Sequence, residues 1–167
     1  MAGHCSKSQG IHHEEPSAHR RVGSPAVKGV QLLALAAALF DTAAALAHFA
    51  CTVWGGRGLR LMGAGERMAR MAEAGHWYPP LVSAAIGVVL SLLAGYALAG
   101  AGLLGPLPFM RPVLTGAGLV LVARAAAYPW LKPRFPDNSD RFWHVSSALC
   151  LVMGLLHLAA AAGMAQG

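Results

Sequence analysis

Hydrophobic residues in this chain gather into four long runs, and nearly all of the charge stands between them. The runs cover about 29–54, 81–101, 112–131 and 142–164 and are built mostly of Ala, Leu, Val and Gly. Each is long enough for a hydrocarbon core of about 30 Å, which takes roughly 20 helical residues. None carries the polar face that a helix on a soluble core needs. A backbone surrounded by lipid must close its own hydrogen bonds, as a helix or a closed barrel does, and a barrel needs alternating segments that this chain lacks. The pattern predicts an all-α fold: an integral membrane four-helix up-and-down bundle over residues 26–167. Residues 1–25 are polar and include His4, His12, His13 and His19, which reads as a disordered tail. The first apolar run begins too late and is too long for a cleaved leader, so the tail is expected to stay on the mature chain.

The connections differ in information content. In the first, Glu66 and Arg70 are spaced i,i+4 and Arg70 and Glu73 i,i+3, with Met68, Met71 and Ala72 on an apolar side. This predicts a short interfacial amphipathic helix in loop 1. Trp77, Tyr78, Pro79 and Pro80 then supply an aromatic anchor and a helix start. Loop 2 is a proline-marked turn. Loop 3 holds Asp137, Asn138, Ser139 and Asp140, a set of candidate caps for the fourth helix.

Composition agrees with a membrane solvent: 56% of residues are hydrophobic and only 12% are charged. The formal charge of +6 does not point to nucleic acid, because the basic residues flank apolar runs instead of forming one stripe. Their expected partner is the lipid bilayer and its anionic headgroups. Arg57, Arg60, Arg67, Arg70, Lys132, Arg134 and Arg141 share the face of loops 1 and 3, against Arg20, Arg21, Lys28 and Arg111 opposite. That balance favours loops 1 and 3 on the cytoplasmic side of a multi-pass inner (plasma) membrane protein. Cys5, Cys51 and Cys150 form no spaced framework for a disulfide or zinc.

Ionisable side chains inside hydrocarbon mark sites by default. Asp41, His48 and Arg124 form the candidate intramembrane polar site: Asp41 and His48 share a face of the first helix, and Arg124 is long enough to suggest a pair with Asp41. His157, His144 and Glu66 are secondary candidates. The competing reading of the trio is a polar clasp that fixes helix packing. No catalytic constellation and no metal site are indicated. Haem b would need two axial histidines at matching depth, and His48 and His157 differ by about 12 Å along the bundle axis, so no cofactor is expected. Gly87, Ser91, Gly95 and Ala99 on the second helix, and Gly116 with Gly118 on the third, permit close helix approach, within the bundle or in a homo-oligomer or with a membrane protein partner.

The stretches GAGERMARMAEAGHWYP at 63–79, LPFMRPVL at 107–114 and FPDNSDRFWHVSSALCLVMGLLH at 135–157 resemble a group of small uncharacterised inner-membrane proteins of proteobacteria, over about 46–157. The resemblance implies a membrane class and a bacterial origin and carries no activity. The expected function is transport, ligand sensing or accessory assembly through the polar site. The alternatives are a redox enzyme acting on a quinone or lipid, and a purely structural subunit.

Overall fold

The computed structural model describes residues 25–164, and these are helical apart from short connections. The expected tail at 1–25 lies outside the described residues except for Pro25, which opens the first helix, α1, Pro25–Trp54. Gly55, at φ 57, ends it. A second helix, α2, Gly56–Met62, follows at once and stops at Gly63, whose left-handed φ of 75 suits a residue without Cβ. Helix α3, Glu66–Glu73, comes next, and α4, Tyr78–Gly100, begins with Pro79 and Pro80 in its first turn, where missing N–H groups cost nothing. After loop 2, α5 runs Met110–Ala126 and α6 Tyr128–Leu131, followed by a 3-10 turn at Lys132–Arg134. The last helix, α7, Asp140–Gly163, is capped by Ser139, whose Oγ accepts the Phe142 N–H at 3.1 Å.

Helices α1, α4 and α7 are each long and apolar enough to cross a membrane. The third apolar run is not one helix as expected. It bends by 55° between α5 and the segment Tyr128–Arg134, and only the two together match a span. Pro129 explains the break: it removes one N–H from the helical ladder, and its ring would clash with the Ala125 carbonyl of a continuous helix. Among the described residues there are thus three candidate spans, or four if the bent pair is one.

Loop 1 contains two helices where one was expected. Leu59 of α2 and Ala69 of α3 are buried against Cys51, with Ala64, Met68 and Ala72 packed around them. The apolar side of α3 therefore packs on the protein itself. Gly56 permits this contact, since a Cβ there would sit 2.6 Å from Glu73 Cγ.

Helix α1 packs chiefly on α4 and also on α7, and α7 packs chiefly on α5. Small residues build the core between them: Ala37, Ala38 and Ala97 form one cluster with Leu98 and Leu156. Ala45, Leu90 and Met153 form another with Phe49 and Leu121. Helices α5 and α7 cross almost backbone to backbone, because a Cβ on Gly154 would lie 2.9 Å from the Gly118 carbonyl oxygen. Large apolar side chains point outward instead, among them Leu46, Leu92, Val120 and Leu155. Such an outer surface suits lipid and would be costly in water.

Candidate functional site

The most enclosed polar group of α1 is Asp41, at 0% exposure. Ala37, Ala38 and Ala45 flank it one turn either way on the same face, and their small side chains admit α7 closely. On α7, His157 is also 0% exposed and lies between the buried Met153, Gly154, Ala160 and Ala161. His157 Nε2 approaches Asp41 Oδ2 at 3.1 Å. The two groups meet off the line of a hydrogen bond, and neither Asp41 oxygen has a hydrogen-bond partner among the described residues. The contact is thus primarily electrostatic.

The other ring nitrogen fixes the proton count. His157 Nδ1 is 2.8 Å from the Met153 carbonyl oxygen, which can only accept, so Nδ1 carries hydrogen. Nε2 then faces the carboxyl with or without a second hydrogen. Two forms fit: a carboxylic acid beside a neutral imidazole, or a carboxylate beside an imidazolium. Each holds one proton between the partners and has no net charge. Loss of that proton would leave a carboxylate against a nitrogen lone pair, with one uncompensated charge in the helix core.

The remaining candidates fall elsewhere. Arg124 does not pair with Asp41: its Nη2 donates to Ser146 Oγ at 3.4 Å, and its Cζ lies 5.1 Å from the Trp143 ring centroid. His48 is half-buried on α1, and its carbonyl accepts from Thr52 Oγ1 at 3.2 Å. His144 is exposed, its ring 5.4 Å from that of Tyr128. Glu66 is exposed and bonds Arg60, through Nε at 2.9 Å and Nη2 at 2.8 Å, in place of the expected Arg70. Arg60 also holds Glu73, with Nη2 at 2.9 Å from Oε2 and a second contact from Nη1 to Oε1. Hydrogen bonds from this guanidinium hold both carboxyls below the usual carboxylate range.

Sequence reasoning singled out neither the Asp41–His157 pairing nor the place of Trp143 beneath Arg124. His157 Nδ1 is engaged by the Met153 carbonyl, while Nε2 faces Asp41 without a hydrogen bond. Among the described residues no group of three or more His, Cys, Asp or Glu is placed to hold a metal ion. Comparison of the chain with family models, curated proteins and solved structures found no match.

Proposed function

We propose that the chain is a multi-pass protein of a bacterial-type inner membrane, folded as a four-helix up-and-down bundle whose third span is α5 and α6 together. The apolar outer faces support this reading, as do the exposed Trp54, Trp77, Tyr78 and Trp130 at the end that carries loops 1 and 3. The larger number of basic residues on that face supports a cytoplasmic side for those loops.

Within that bundle the Asp41–His157 pair is the responsive element of a small sensing or accessory-assembly module. The observation that carries this reading is one fully enclosed carboxyl–imidazole contact, 3.1 Å long, that joins the first helix to the last. A buried charge left without its partner costs about 3–5 kcal/mol. A shift of about 5.5 kcal/mol takes a two-state equilibrium from 1:99 to 99:1. Deprotonation of the pair is therefore comparable in energy to a switch of helix packing. Complete enclosure supports sensing or assembly over a transport path.

The test is isotope-edited infrared spectroscopy of carboxyl-labelled aspartate in the reconstituted protein, with Asp41→Asn to assign the band. A reversible change of the Asp41 band is expected as the buffer is taken from about pH 5 to 8, the interval over which an imidazole ordinarily changes charge. A band that stays constant across that range would make the pair a fixed clasp and refute the sensing role.

A further inference from the structure

At the loop end of the seam between α5 and α7, Arg124 Nη1, Trp143 Nε1 and Ser147 Oγ are buried without a hydrogen-bond partner. Trp143 is only 2% exposed. The three groups are neighbours: the guanidinium lies over the Trp143 ring, and Trp143 and Ser147 stand one turn apart on α7. The guanidinium and the indole can only donate, and a buried donor left unpaired costs about 1–3 kcal/mol. The Arg124 charge is also unmatched, since no carboxylate pairs with it among the described residues. Asp140 is taken by Lys132 at 2.9 Å, and Asp41 faces His157.

The shape of the seam fits this unmet demand. The helices touch at Gly118 and Gly154, while an arginine and a tryptophan occupy the space between them nearer the loops. Arg124 stands in the last turn of α5, two residues before the helix ends at Ala126, within reach of the headgroup layer. The chain breaks at Ala127, so the last turn of α5 is not held by a continuous helix beyond it.

We propose that this end of the α5–α7 seam opens to bind a phosphate group, from a lipid headgroup or as free phosphate, with Arg124, the Trp143 N–H and the Ser147 hydroxyl as donors. The unmatched cation selects an anion, and several donors side by side select an oxyanion with more than one acceptor oxygen. The site is separate from the Asp41–His157 pair, which lies about 21 Å farther along α7 from Trp143.

The experiment uses the full chain in mixed micelles with monoolein, which has no phosphate. Native mass spectrometry reads retention of added phosphatidylglycerol, and a thermal shift reads added inorganic phosphate. Arg124→Gln removes the charge, and Trp143→Phe keeps a ring while removing the N–H. Binding of phosphatidylglycerol is expected to weaken about tenfold or more in Arg124→Gln and about three- to tenfold in Trp143→Phe. The same variant dependence with inorganic phosphate alone identifies the free anion as the source, whereas dependence seen only with phosphatidylglycerol identifies the lipid. Circular dichroism checks folding, and Ser147→Ala replaces any variant that fails to fold. No binding of either ligand, or equal binding by wild type and folded variants, overturns the proposal.

Discussion

Replacing Asp41 and His157 singly and together gives a ranked set of stabilities that depends on where the proton sits. His157→Ala removes the neighbour of a fully enclosed carboxyl and opens a void, with an expected loss of about 3–5 kcal/mol. In Asp41→Ala the imidazole becomes neutral and keeps its bond to the Met153 carbonyl, so only Nε2 is orphaned. The expected loss is about 1–3 kcal/mol. Asp41→Asn is milder still, about 1 kcal/mol or less, because the amide N–H can donate to the bare Nε2 that the Met153 contact dictates. The double alanine variant should lose less than the two singles summed, by about 1–3 kcal/mol. Unfolding in mixed micelles, followed by far-ultraviolet circular dichroism, measures each value. Asp41→Asn as damaging as Asp41→Ala would refute donation from the amide to Nε2; strictly additive losses would show that the two residues are not coupled at all.

Two further outcomes follow from other parts of the fold. A methyl group on Gly154 would meet Val122 Cγ2 at 2.8 Å and the Gly118 carbonyl at 2.9 Å, so Gly154→Ala should destabilise by about 1–3 kcal/mol. Gly95→Ala and Gly116→Ala meet nothing within 4 Å and should be neutral or stabilising by up to about 1 kcal/mol in the same unfolding assay, so a matching loss at all three positions would refute the packing argument. In loop 1, Glu66 and Glu73 have depressed folded values. Their pairing with Arg60 therefore stabilises α2 and α3 above the unfolded carboxylate pKa and is lost as pH falls through the lower folded values. Protease cleavage within 56–73 should rise in that acid range, and Arg60→Ala should show comparable cleavage already at neutral pH.

The long apolar runs made the helices legible, since length and composition alone decide what can cross lipid. The amphipathic spacing around Glu66 found α3, and the cap set before Phe142 contained Ser139. Helix α2 was hidden because Gly56 and Gly58 read as a loop. Their role is close packing: a Cβ on Gly58 would stand 3.0 Å from the Cys51 Cα. The break at Pro129 was masked by the hydrophobicity of the residues on both sides. The expected Asp41–Arg124 pairing relied on a long side chain to span a depth difference of about 10 Å. At about 1.5 Å per residue, Asp41 lies near 20 Å from the end of α1 at Trp54, and His157 lies at a similar depth from the start of α7, with Arg124 roughly 10 Å shallower. Depth alone would have favoured His157. What no spacing rule supplied was the side of α7 on which the imidazole sits, which follows from the small residues around it.

Because the pair joins the first span to the last, it also constrains the order of biogenesis. The two positions are roughly 116 residues apart, so at about 5–20 residues per second Asp41 waits on the order of 6–23 s for its partner to be made. During that interval α1 enters the bilayer with an acidic side chain and no imidazole beside it. The cheapest form for that passage is the neutral acid, which brings a proton into the membrane before the histidine arrives. Only when α7 has been made can the contact that joins the two ends of the bundle form.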